Sequence, residues 1–173
     1  EAPKEIPVAN GEELVTNGDM ESALASINGN VITTSAGATI AQSTAQKYTG
    51  TYSMSATSVA NNVNAIIIPN DATLNGKFVK AEGYVYIPSS NTTLTEVGVG
   101  YKADGGTVFS EIIATQDSWE YFCIFYTRGS TPSTDRDLFF SQTNVASATG
   151  DVFYIDNVSV KEVTSYSGGG FER

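Results

Sequence analysis

Apolar and polar residues alternate with a period of two along much of this chain. Lys77–Ile87 shows it best: Val79, Ala81, Val85 and Ile87 fall on one side, and Phe78, Lys80, Glu82, Tyr84 and Tyr86 on the other. Tyr52–Val59 alternates in the same way, with Tyr52, Met54, Ala56 and Ser58 against Ser53, Ser55, Thr57 and Val59. Shorter β-rich runs follow at Glu12–Asp19, Val31–Ile32, Ala38–Gln42, Asn64–Ile68, Leu94–Lys102, Thr107–Thr115, Trp119–Arg128, Asp137–Gln142 and Asp151–Val163. Turn chemistry separates them at Tyr48-Thr49-Gly50-Thr51, Asn70–Gly76, Pro88-Ser89-Ser90, Ala103-Asp104-Gly105-Gly106 and Gln116-Asp117-Ser118. The sum is about ten strands and no significant helix, which predicts an all-β, antiparallel β-sandwich of jelly-roll type. A parallel sheet needs helical crossovers, and no amphipathic helical stretch supplies them. The pattern divides the chain into an extended N-terminal arm or linker (1–11), the sandwich (12–163) and a flexible C-terminal tail (164–173) containing Gly168-Gly169-Gly170.

Composition narrows the function classes. A chain of 173 residues that is 40% hydrophobic suits one domain with a substantial core. A formal net charge of −10 repels phosphate backbones and argues against nucleic acid as a partner. No apolar run is long enough to span a bilayer, so membrane insertion is not expected. Histidine is absent, which removes Ser-His and Cys-His catalysis and histidine-based metal sites. Cys123 is the one cysteine, so no intrachain disulfide forms; within the apolar run Trp119–Phe125 it reads as a small core residue.

The polar side of Lys77–Ile87 is the candidate ligand surface. Tyrosine rings pack on the C–H faces of sugars and their hydroxyls bond sugar OH groups, while charged ends add orientation. Tyr84, Tyr86, Lys80 and Glu82 therefore form a candidate glycan site, joined by Tyr101 and, further out, Tyr121 and Tyr126. The bland alternative is an exposed sheet face whose aromatic pairs only stabilise strand pairing. Glycoside hydrolysis needs two carboxyls across one cleft; Glu82 with Glu96 or Glu111 are pairs that nothing in the sequence marks, so no catalytic residue is assigned and no enzyme is expected. Asn91-Thr92-Thr93 and Asn157-Val158-Ser159 match the glycosylation sequon, by accident in a chain this rich in Asn, Ser and Thr.

Four phrases in order resemble the jelly-roll carbohydrate-binding modules of the family 4, 9 and 22 type. Asn17-Gly18-Asp19-Met20-Glu21 is similar to their N-terminal "NGDFE" phrase, and Tyr48-Thr49-Gly50-Thr51-Tyr52-Ser53-Met54 to their second-strand element. Asp117-Ser118-Trp119-Glu120-Tyr121-Phe122 and Phe153-Tyr154-Ile155-Asp156-Asn157-Val158-Ser159-Val160 resemble the later ones. The family's Trp soon after the first phrase is missing between Ser22 and Thr34, leaving Ile27 or Ile32 for that place. The resemblance implies glycan or polysaccharide binding on a sheet face, an extracellular setting, and a structural calcium ion. Asp19, Glu21 and Asp156 are its implied carboxylate ligands, with backbone oxygens near Gly18 and the Tyr48–Gly50 turn completing an oxygen shell. Turn capping by Asp19 and Asp156 is the plain alternative. The closing phrase is also similar to sandwich repeats of bacteriophage tail and virion-surface proteins. That likeness implies the other function: a virion or surface-assembly structural protein, docking other subunits through its arms.

Overall fold

The period-two patterning of Tyr52–Val59 and Lys77–Ile87 is realised as strands. The computed structural model describes residues 5–24, 38–59, 63–67, 76–103, 106–127, 138–143 and 146–167. Its strands are β1 (Ile6–Val8), β2 (Ala38–Ser43), β3 (Ser53–Ser58), β4 (Asn64–Ile67), β5 (Phe78–Tyr86), β6 (Val97–Ala103), β7 (Gly106–Ile113), β8 (Trp119–Thr127), β9 (Leu138–Gln142), β10 (Val152–Glu162) and β11 (Ser165–Ser167). They form a five-stranded sheet in the order β2-β3-β10-β5-β8, a four-stranded sheet β4-β9-β6-β7 and a two-stranded ribbon β1-β11. Every named pair is antiparallel. The expected all-β sandwich is what forms. No helix among the described residues is long and apolar enough to cross a membrane.

The core lies between the two large sheets. Met54 and Ala56 of β3, Val79, Ala81 and Val85 of β5, Phe122 and Ile124 of β8, and Phe153, Ile155, Val158 and Val160 of β10 meet Val97, Val99, Leu138 and Phe140 of the facing sheet. Phe122 packs edge-on against Phe140 with ring centroids 5.4 Å apart. This arrangement commits alternate residues of β5 and β8 to the interior and leaves their partners on the opposite, outward face.

β10 holds the sheet together through an irregularity. Its first half pairs with β3 and its length pairs with β5, with a register shift between Asp156 and Ser159. Asn157, at φ 49°, is the extra residue of this bulge. The insertion keeps Phe153 and Ile155 before it, and Val158 and Val160 after it, on the core side. Gly83 of β5 lies opposite, where an added Cβ would come 3.0 Å from the Phe122 ring.

The first predicted strand, Glu12–Asp19, is reduced to a single bridge between Glu13 and Lys161. The cause is a side chain standing in for a backbone carbonyl. Glu13 Oε1 accepts the Val160 N–H at 2.9 Å together with the Leu14 and Val15 N–H groups at 3.1 and 3.0 Å. The segment still runs along β10, through Leu14 N–H to Val160 O (2.9 Å) and Val158 N–H to Gly18 O (2.8 Å). It then turns through positive φ at Asn17 and Met20. The two ends also differ from a free arm and a free tail: β1 pairs with β11 from Ile6↔Ser167 to Val8↔Ser165. The Val31–Ile32 run, and Ile27 with it, lie outside the described residues.

Gly18 tests the seating of this segment. A Cβ there would stand 1.9 Å from the Val158 carbonyl oxygen, a backbone atom that cannot swing away. Gly18→Ala is expected to lower the unfolding free energy by about 1–3 kcal/mol in urea titration; an unchanged midpoint would show that the segment does not lie on β10.

Candidate functional site

The outward face of β10, β5 and β8 is ordered into rows by strand register. Cross-strand partners give Tyr154–Tyr86–Trp119, then Asp156–Tyr84–Tyr121, then Ser159–Glu82–Cys123, then Lys161–Lys80–Phe125. The first two rows are aromatic apart from Asp156, and the last two are polar and charged apart from Cys123 and Phe125. Tyr86 lies 5.6 Å from Trp119 and 6.2 Å from Tyr154 between ring centroids, and Tyr84 lies 5.5 Å from Tyr121. Edge-to-face and tilted contacts of this kind contribute roughly 0.5–1.5 kcal/mol each beyond burial.

A polar relay borders the aromatic rows. Lys80 Nζ pairs with Glu82 Oε2 at 2.6 Å, and the Tyr121 hydroxyl donates to the same oxygen. Burial works to raise the Glu82 carboxyl, but the bonds from Lys80 and Tyr121 outweigh it and hold it below the ordinary carboxylate range. Burial, followed by the bond to Glu82, pushes the Tyr121 phenol far up. At the other end of the face, burial and the neighbouring Asp117 raise the Tyr86 phenol. Asp117 accepts the Ser89 N–H at 2.8 Å, the main reason its own carboxyl is held low.

The loop between β2 and β3 closes over this face. Tyr48 stacks on Tyr84 with centroids 3.6 Å apart and planes 16° from parallel. It also meets Trp119 edge-on at 6.1 Å. Two carboxylates hold the loop from opposite sides. Asp156 Oδ2 accepts the Tyr48 and Thr49 N–H groups at 2.8 and 3.3 Å, and Glu21 Oε1 accepts those of Thr51 and Tyr52 at 2.8 Å each. These backbone bonds keep the Glu21 carboxyl low. Asp156 is fully buried; burial raises its carboxyl, against the pull of its three amide donors, and the charge of Glu21 adds to the rise.

The sequence-predicted residues therefore divide. Lys80, Glu82, Tyr84 and Tyr86 share one face. Tyr101 does not join them: it stands on β6 in the other sheet, and its ring stacks at 5.0 Å on Tyr126, whose side chain is buried on the inward side of β8. Glu111 lies on β7, where it accepts the Cys123 N–H, and Glu96 accepts the Thr143 hydroxyl, so neither faces Glu82. Cys123 is half-buried on the outward face opposite Glu82 rather than in the core; alternation with the buried Phe122 and Ile124 carried that signal. Tyr48 and Trp119 were missed as site residues. Trp119 was readable as the neighbour of Tyr121 on an alternating strand, whereas Tyr48 sits in a turn and carried none. Among the described residues no three His, Cys, Asp or Glu side chains group to hold a metal. Asp19 is exposed, with Oδ1 3.4 Å from the Glu21 N–H. Glu21 and Asp156 nonetheless bear on one turn, and no ion pair among the described residues reaches either.

With this geometry in place, solved structures supply the context. No family model matches the chain, and no curated protein does. The chain is similar in structure to the CBM22-1 xylan-binding domain of Paenibacillus barcinonensis Xyn10C, at 13% identity and a TM-score of 0.54, covering 91% of this chain and 99% of that one. It is similar to a family 16 carbohydrate-binding module at 15% identity and a TM-score of 0.52, covering 85% and 98%. An arabinose-bound MgGH51 α-L-arabinofuranosidase superposes at 14% identity and a TM-score of 0.62, with 94% of this chain covering 31% of that enzyme. The chain thus has the jelly-roll sandwich of carbohydrate-binding modules.

Asp156 makes a pH prediction of definite sign. Its folded-state carboxyl is raised, so folding favours its protonated form, and that contribution is lost as pH rises through the folded value. In guanidinium titrations with EDTA present, the stability of the wild type relative to Asp156→Asn is expected to decline as pH rises above the ordinary carboxylate range. A flat difference would mean that burial exerts no net penalty on this carboxylate.

Proposed function

We propose that the chain is a non-catalytic glycan-binding module that holds a polysaccharide on the outward face of β10, β5 and β8. The observation that carries this reading is the pair of adjacent aromatic rows bordered by the Lys80–Glu82–Tyr121 relay. Aromatic rings supply apolar surface to the C–H faces of sugar rings, and the relay supplies fixed polar ends for hydroxyl groups. Carbohydrate-binding modules with the same sandwich, one of them a xylan-binding domain, support the substrate class. The reading places the protein outside the cell or on a particle surface, where polysaccharides are met.

Catalysis is not part of this reading. Glycosidases need two carboxyls flanking one bond, one of them able to carry a proton. On this face Glu82 is held charged by Lys80 and Tyr121, and Asp156 is buried beneath the Tyr48 loop with its oxygens on amide N–H groups. A second reading, a virion or surface-assembly subunit, is favoured by the β1–β11 ribbon, where Ile6 and Tyr166 are 64% and 53% exposed.

Native affinity electrophoresis in gels containing xylan, mixed-linkage β-glucan or galactomannan tests the proposal. Retardation by at least one polymer is expected, with Tyr121→Ala weakening it. Migration unaffected by every polymer, with self-association of the intact chain in light scattering, would move the assignment to the surface-assembly reading.

The structural calcium belongs to the same proposal, with Glu21 and Asp156 as its carboxylates and backbone carbonyls of the neighbouring turns beside them. What supports it is two carboxylates bearing on one turn with no ion pair to either among the described residues. A hard cation that prefers carboxylate and carbonyl oxygens would offset both. Calcium is expected to raise the melting temperature over that in EDTA. Identical melting curves would leave the two carboxylates as turn caps alone.

A further inference from the structure

Resting on the glycan-binding reading, we infer that Tyr48 is the principal sugar-stacking residue of the face, and that Tyr84 serves as its support. Tyr84, the centre of the aromatic rows, is enclosed. Tyr48 covers it at 3.6 Å, which is van der Waals contact and admits no sugar between the rings, and Tyr121 approaches it at 5.5 Å. The rings left open to a ligand are Tyr48 and Tyr121, 40% and 44% exposed.

Tyr48 is also held in place before any ligand arrives. Its loop is bound by Asp156 at the Tyr48 and Thr49 amides and by Glu21 at the Thr51 and Tyr52 amides. Thr49 Oγ1 donates to Asn157 Oδ1 at 3.1 Å, and the Ser53 hydroxyl donates to the Gln46 carbonyl. A ring fixed in this way loses little conformational freedom on binding, which is where a stacking contact gains most affinity. The ligand class is a neutral glycan. Lys80 is paired with Glu82, Lys161 stands 3.9 Å from Glu13, and the chain carries −10 overall, a balance that disfavours a uronic acid.

The test uses wild type, Tyr48→Ala, Tyr48→Leu, Tyr48→Phe and Tyr121→Ala in gels containing xylan, mixed-linkage β-glucan, galactomannan or polygalacturonate. Each variant's melting curve is recorded alongside. Trp119, the only tryptophan, lies against Tyr48 and reports ligand by its emission. On whichever neutral polymer retards the wild type, Tyr48→Ala is expected to lose about tenfold in affinity, and Tyr48→Phe to stay within about threefold. Tyr48→Leu keeps an apolar cover on Tyr84 without an aromatic face, and its expected loss matches that of Tyr48→Ala; it decides the matter if the alanine variant unfolds. Wild-type affinity in Tyr48→Leu while Tyr121→Ala binds weakly would overturn the role of Tyr48 and leave the glycan reading standing. Retardation by polygalacturonate alone would overturn the ligand class, and no retardation of the wild type on any polymer would overturn both readings.

Discussion

One extra residue in β10 is the constraint on which the remainder of the structure depends. β10 is shared: β3 takes the first half of one edge, the Gly11–Gly18 segment follows it along β10, and β5 runs the length of the other. A strand without the bulge would turn every side chain beyond Asp156 to the opposite face. Val158 and Val160 would leave the core, and Ser159 and Lys161 would enter it. Asn157 absorbs that mismatch in a left-handed conformation, and Gly83 leaves room for Phe122 opposite it. The aromatic rows above the bulge and the charged rows below it are consequences of this single register correction.

The bulge also sets the electrostatics of the site. It leaves Asp156 buried on the outward face at the point where the β2–β3 loop passes over the sheet. There the carboxylate gathers amide donors from Tyr48 and Thr49, and Glu21 gathers those of Thr51 and Tyr52. Burying the Asp156 carboxylate costs energy, which is why its carboxyl is raised, and the nearby charge of Glu21 adds to the rise; the amide bonds offset part of that cost. The result is a turn whose position is fixed by charge and whose one large side chain lies flat on Tyr84. Asp151 plays the corresponding part at the far end of β10. It accepts the Thr92, Thr93 and Leu94 N–H groups at 2.7–2.9 Å, which hold its carboxyl low despite burial.

Face chemistry and fold stability are separable here. The core side of β5 and β8 is apolar apart from Glu120 and the Tyr126 hydroxyl and belongs to the sandwich, while the outward side carries rings and charges that the sandwich does not need for closure. An aromatic face of this size on a sheet edge is a hazard for association unless something covers it. The Tyr48 loop covers its middle and Glu111 caps the Cys123 amide on the edge strand, leaving a smaller exposed surface with defined ring orientations.

The sequence by itself determined the strands, their antiparallel sandwich class, and which residues of β5 share a face, because alternation is written within each strand and needs no partner to be read. The sharing of a face by Lys80, Glu82, Tyr84 and Tyr86 was legible for that reason. Only the tertiary structure decided who meets whom. It sent Tyr101 to the facing sheet beside Tyr126 and replaced the first strand's ladder with the Glu13 carboxylate. It also laid Tyr48 on Tyr84, across 35 intervening positions of chain. These pairings depend on cross-strand register and on where loops return, which are long-range quantities, and local periodicity does not contain them.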